Sequence, residues 1–167
     1  MKKFLLAIAI VAFGFTANAQ DGELNAGVNL GFPVGDSSDG YSFVIGAEVN
    51  YLFPVSDDFK VGPSLGFVNY FGQDVDVPGF GTVSLEDVSF LPIAAAGRFA
   101  VSEKFTLGAD LGYGIGLSPE GIESGFYYRP MVGYNISEKI MLQATFSGIS
   151  VTGGSFSNLG VGAMFAL

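Results

Sequence analysis

The stretch Phe105-Thr106-Leu107-Gly108-Ala109-Asp110-Leu111-Gly112-Tyr113-Gly114-Ile115 decides the fold. Its odd positions hold Phe, Leu, Ala, Leu, Tyr and Ile, and its even positions hold Thr, Gly, Asp, Gly and Gly. Successive side chains of an extended chain point to opposite faces, so period two marks a β-strand with one apolar face and one face of small residues. Working outward, the same alternation recurs at 24–32, 43–53, 59–67 and 91–101 on the N-terminal side, and at 128–136, 140–146 and 159–167 on the C-terminal side. Eight such runs of roughly 9–12 residues have the length that a tilted strand needs to cross a bilayer.

The connections alternate as well. Val55-Ser56-Asp57-Asp58-Phe59, Val101-Ser102-Glu103-Lys104-Phe105 and Ile136-Ser137-Glu138-Lys139-Ile140 are one turn cassette used three times. Between them lie longer Gly-, Asp- and Ser-rich stretches at 34–41, 72–88, 118–125 and 150–155. Short turns on one rim and long loops on the other predict an all-β fold, an eight-stranded antiparallel up-and-down transmembrane β-barrel. Pro63, Pro92 and Pro130 fall inside strands, where each removes a ladder donor, so bulges or weak pairing are expected there.

Composition agrees. Of 167 residues, 49% are hydrophobic and 14% charged, against a usual charged share of about 25%. Mean hydropathy is +0.47, yet the one long apolar run is at the N-terminus, which argues against a helical membrane protein. A net charge of −9 disfavours nucleic acid and anionic membrane surfaces as partners. With no His and no Cys, thiol catalysis, Ser-His triads, disulfides and the usual zinc sites are excluded. The alternative architecture is a soluble lipocalin-type barrel with its apolar face inward. Soluble surfaces carry about 25–35% charged residues. The polar faces of all eight strands here carry Glu48, Lys60, Arg98, Asp110 and Arg129 and are otherwise mostly small or uncharged. That suits the filling of a narrow lumen. Aromatic residues near the strand ends, Phe53, Phe59, Phe99, Phe105 and Phe165 at one end and Phe32, Phe43, Phe71 and Tyr128 at the other, form the two belts expected at bilayer interfaces.

The N-terminal segment 1–19 reads as a signal peptide: Lys2 and Lys3, then twelve residues from Phe4 to Phe15, then Ala17-Asn18-Ala19 as a cleavage site. Twelve helical residues reach about 18 Å, short of a bilayer core of about 30 Å. Cleavage leaves residues 20–167 as the barrel domain, with five basic residues against 16 acidic ones, a net charge of −11. An exported protein of this kind is expected in the outer membrane. The chain ends on its eighth strand, so no domain is expected after the barrel.

The mature chain resembles the small eight-stranded outer-membrane β-barrel family, the OmpA/OmpX-like barrels of Gram-negative envelopes. The most specific local piece is Gly160-Val161-Gly162-Ala163-Met164-Phe165-Ala166-Leu167. It looks like the family's assembly signal, which implies that Gly162, Phe165 and Leu167 engage the outer-membrane assembly machinery during biogenesis. The family often ends in an aromatic residue; here Leu167 is last and Phe165 lies two before it.

Chemistry is sparse. Arg98 should lie diagonal to Asp110 across the Ser102-Glu103-Lys104 turn. Glu48 is placed to reach Arg98 across the lumen, with Arg129 higher up. These four residues are the candidate lumen network, closing the bore as a buried ion-pair plug. A polar pore lining, making the protein a narrow pore or transporter for small solutes or apolar molecules, is the other reading. Barrel enzymes that act on lipids generally use His with Ser, so no enzymatic activity is expected. The long loops carry Asp36, Asp39, Asp74, Asp76, Glu86, Asp87, Glu120 and Glu123 and no Lys or Arg. A solvated acidic rim is one reading; a Ca²⁺ or Mg²⁺ site bridging to lipopolysaccharide phosphates is the other. No other cofactor is expected. The 72–88 loop has an apolar tip, Val77-Pro78-Gly79-Phe80-Gly81, suited to a surface protein partner. The remaining partner is outer-membrane lipid, and the barrel is expected to be monomeric.

Overall fold

The computed structural model describes residues 22–79 and 81–167. The signal peptide expected at 1–19 lies outside the described residues. The elements are β1 Glu23–Val34, a short 3-10 turn Gly35–Ser37, β2 Tyr41–Pro54, β3 Phe59–Gly72, β4 Asp74–Val77, β5 Gly81–Ser84, β6 Val88–Ala100, β7 Phe105–Ser118, β8 Gly125–Ser137, β9 Ile140–Val151 and β10 Gly154–Ala166. Eight of the strands close into one antiparallel barrel in the order β1-β10-β9-β8-β7-β6-β3-β2, while β4 and β5 pair as a separate hairpin. Closure is made by β1 and β10, with Leu30 opposite Val161. Every barrel strand thereby has both edges paired, as a membrane requires of a sheet.

Alternation places the faces as expected. Val28, Leu111, Val161 and Phe32 stand more than half exposed on the outside, a surface suited to lipid and not to water. Phe59, Phe99, Phe105 and Phe165 ring the short-turn end, and Phe32, Phe71, Tyr113 and Phe126 ring the loop end. Inside, long side chains lie over glycines one or two strands away. A Cβ on Gly108 would fall 2.6 Å from Met131 Sδ, and one on Gly114 would fall 2.8 Å from Ile149 Cδ1. The glycines are therefore what lets a narrow bore hold large residues.

Each of the three prolines expected to disturb a strand lies beside a local break in pairing. Pro63 pairs with Ala95 of β6, but the β2–β3 ladder is interrupted between Asn50–Ser64 and Phe53–Val61. Pro92 pairs with Gly114, and the β3–β6 ladder is interrupted beside it. Pro130 pairs with Ala109, and the β8–β9 ladder is interrupted beside it. A missing N–H on one edge weakens that edge alone. The register shifts fall elsewhere, near Tyr41, Ser89 and Asn135.

The turn cassettes close by matching bonds: Val55 N–H donates to Phe59 O at 2.8 Å, and Val101 N–H to Phe105 O at 2.9 Å. Ser102 Oγ accepts from Phe105 N–H at 3.1 Å and Ser137 Oγ from Lys139 N–H at 3.3 Å. That local capacity of serine to satisfy turn backbone explains its place in the repeat. Two expectations change. The 150–155 stretch is not a long loop: β9 and β10 pair up to Val151 and Gly154, and Gly153, at φ +85°, makes the tight turn. The 72–88 stretch is not irregular throughout, since β4 and β5 form a hairpin there.

Candidate functional site

Four strands project the charged residues of the lumen to one level, and the ladder explains how. Asp110 on β7 lies directly opposite Arg129 on β8 and diagonal to Arg98, which pairs with Gly108. Glu48 sits on β2, four strands from β8 in either direction round the barrel. Asp110 Oδ1 accepts from Arg98 Nη1 at 2.5 Å, and Asp110 Oδ2 accepts from Arg129 Nε at 2.9 Å and also from Arg129 Nη2. Arg129 Nη2 then donates to Glu48 Oε2 across the full diameter. Glu48 Oε1 accepts from Gln143 Nε2 at 2.6 Å and Asn29 Nδ2 at 3.1 Å. All four charged residues are at most 5% exposed.

The arrangement corrects one pairing. Glu48 was expected to reach Arg98; instead it holds Arg129, which stands level with Asp110 and not above it. Arg98 is kept to its own side of the bore by Asp110 and by the Gly97 carbonyl, to which Nη1 donates at 2.9 Å. Gln143 and Asn29 complete the layer and carry no charge, so charge counting alone passes over them.

A second layer lies on the loop side. Tyr70, Phe90, Val44, Val88, Tyr127 and Ile149 are buried together, with Tyr41 and Phe156 packed against them. Tyr70 and Phe90 meet Phe156 at ring-centroid distances of 5.6 and 5.0 Å. Such pairs are worth about 0.5–1.5 kcal/mol each beyond their buried area. The Tyr70 hydroxyl donates to Phe156 O at 3.1 Å and accepts from Asn158 Nδ2 at 2.9 Å. This layer escapes the sequence reading because the strands extend further than their alternation marks. β3 continues to Gly72 and β6 starts at Val88, which brings Tyr70 and Phe90 into the bore. The signal was parity: Tyr70 shares it with Lys60, and Phe90 with Arg98. A void of about 40 Å³ touches both layers, lined by Glu48 and Arg129 from one and Tyr70 and Tyr127 from the other.

The loop acids do not converge. Among the described residues no three His, Cys, Asp or Glu side chains gather at metal-binding distance. Asp36 Oδ2 accepts from Ser155 N–H at 2.9 Å, Asp87 Oδ1 from Gly72 N–H at 3.0 Å and Glu123 Oε2 from Thr152 N–H at 2.9 Å. Asp74 and Asp76 accept from Ser84 and Thr82 across the β4–β5 hairpin at 2.6 and 2.7 Å. These five acids tie loops together. Asp39, Glu86 and Glu120 are exposed on the rim. Of the expected assembly residues, Phe165 on β10 and Leu167 just past its end are exposed, and Gly162 faces inward against Asn29. Phe80 lies outside the described residues.

A closed sheet that is apolar outside and carries paired charges inside defines an integral membrane β-barrel. A family model described as "Outer membrane protein beta-barrel domain" matches residues 5–166. The chain belongs to that family, and its place is the outer membrane. No curated protein matches it. Among solved structures it is similar to Ail, the attachment invasion locus protein of Yersinia pestis, in complex with the heparin analogue sucrose octasulfate. That match has 16% identity and TM-score 0.57, covering 87% of this chain and 97% of that one. It is also similar to the N-terminal β-barrel domain of Pseudomonas aeruginosa OprF, at 13% identity and TM-score 0.51, covering 88% and 100%. A de novo designed transmembrane β-barrel matches at 11% identity and TM-score 0.54, covering 90% and 99%. At these identities the shared property is the fold.

Proposed function

We propose that this protein is a non-enzymatic outer-membrane scaffold whose bore is closed and whose acidic loops present a surface-interaction site. The observation that carries the reading is the Glu48–Arg129–Asp110–Arg98 layer, which crosses the diameter and leaves no unpaired net charge. The aromatic layer above it adds a second, apolar barrier. In the narrow-pore reading, solutes would have to displace both. Planar-bilayer recording of the refolded protein tests this: no conductance steps in molar salt are expected, and a stable open level would overturn the closed bore.

The loops supply the interaction half. Eight acids without one Lys or Arg in those loops favour a partner with a basic surface and disfavour polyanions. The heparin analogue bound in the Ail structure is therefore not carried over to this chain. Acyl chains of outer-membrane lipid and lipopolysaccharide contact the outer face. During biogenesis, Phe165 on the closing strand and Leu167 just past its end present the apolar edge that the assembly machinery takes up, while Gly162 admits Asn29 beneath it.

A further inference from the structure

We propose that the vestibule at the short-turn end of the barrel binds short peptides by their free C-terminal carboxylate, with Arg98 as the anchor. This goes beyond the closed-scaffold reading, because the site lies below the closing layers and does not require passage through them. The vestibule is a cavity of about 430 Å³, within the range of about 300–1,000 Å³ typical of small-molecule sites. Its charged lining residues differ sharply in depth. Arg98 is 5% exposed, whereas Lys60 and Glu23 pair at 2.6 Å with side chains about 40% exposed, and the turn residues at the mouth are open to solvent.

Arg98 is also chemically incomplete. Nη1 is committed to Gly97 O and Asp110 Oδ1, but Nη2 is buried and has no hydrogen-bond partner among the described residues. A buried charged donor left so carries a desolvation cost that nothing offsets. An acceptor oxygen brought to it recovers that cost. The guanidinium presents a planar edge of N–H groups, which matches a carboxylate.

The surroundings select the rest of the ligand. Leu52 and Met164, each 4% exposed, and Met141 wall the cavity; methionine adapts to side chains of different shape. Glu103 and Glu138 stand at the mouth on their turns, exposed, where they meet an ammonium. The charged lining comprises five acids and four bases. That balance repels a dianion such as phosphate and accepts a neutral zwitterion. Carboxylate inward, apolar body between, and ammonium outward is the order along the axis, which is that of a short peptide with free ends.

The test uses the full barrel in lipid nanodiscs with carbon-13 methyl-labelled methionine. Titration with trialanine should shift the Met141 and Met164 methyl signals saturably. Trialanine amide should bind at least tenfold more weakly, as should trialanine to Arg98→Lys, which retains charge but lacks the Nη2 edge. Because Arg98 also belongs to the buried layer, Leu52→Trp provides a second variant that fills the vestibule without touching that layer, and it should abolish the shifts. No saturable shift with trialanine would overturn the proposal, as would equal affinity for acid and amide, or tighter binding of inorganic phosphate.

Discussion

At the scale of residues, the lumen sets two kinds of ion pair against each other. Asp110 is fully buried and holds two guanidiniums, while Lys60 and Glu23 meet at the solvated mouth. Removing one member of a buried pair typically costs about 3–5 kcal/mol, because the partner charge is left in a poor solvent. Exposed pairs are worth about 0.2–1 kcal/mol. Asp110→Ala is therefore expected to lower the unfolding free energy in lipid vesicles by about 3–5 kcal/mol, and Lys60→Met by less than about 1 kcal/mol; urea titrations followed by fluorescence measure both. Glu48, Arg98, Asp110 and Arg129 were legible from period-two parity, since they share the face opposite Leu, Phe and Val. Which carboxylate holds which guanidinium was not legible. That depends on strand tilt and on which strands face each other once the sheet closes, and neither is encoded in the spacing along one strand.

At the scale of elements, the strand cores and the repeated apolar-Ser-acid turns could be read directly, but strand ends could not. The tops of β3, β6, β8 and β9 carry Tyr70, Phe90, Tyr127 and Ile149 inward, where an aromatic residue breaks the small-residue pattern that identified the lumen face. Hence the apolar layer was missed. The β4–β5 hairpin is a separate two-stranded sheet whose base is already closed, because Leu85 N–H donates to Gln73 O at 3.2 Å. Replacing residues 74–84 by Asn-Gly should leave the heat-dependent gel mobility of the folded barrel unchanged, as expected for a loop insertion. If the closing strand carries the proposed assembly signal, folding and delivery can be separated. Changing Phe165 and Leu167 together to Ala should lower the amount of barrel inserted in cells several-fold while leaving refolding yield in detergent unaltered. Equal loss in both assays would make these residues packing elements alone.

At the scale of the whole molecule, the outer surface and the loop rim make opposite demands on their surroundings. The apolar wall fits a bilayer, and the rim is acidic throughout, so long-range attraction favours basic surfaces. That attraction is screened beyond about 8 Å at physiological salt. Vesicles carrying the protein should show no retention on sulfated polysaccharide at low ionic strength, measured against empty vesicles. Retention that falls with salt would show that the acids do not govern the rim.

The buried layer holds two positive and two negative groups locked at one depth. A potential difference across a membrane does work of about 2.3 kcal/mol on each elementary charge it moves through 100 mV. On a set whose charges cancel, that work is close to nothing. In the closed-bore reading proposed above, the layer should therefore hold whatever the electrical polarity of the envelope, a property that a layer with one carboxylate fewer would lose.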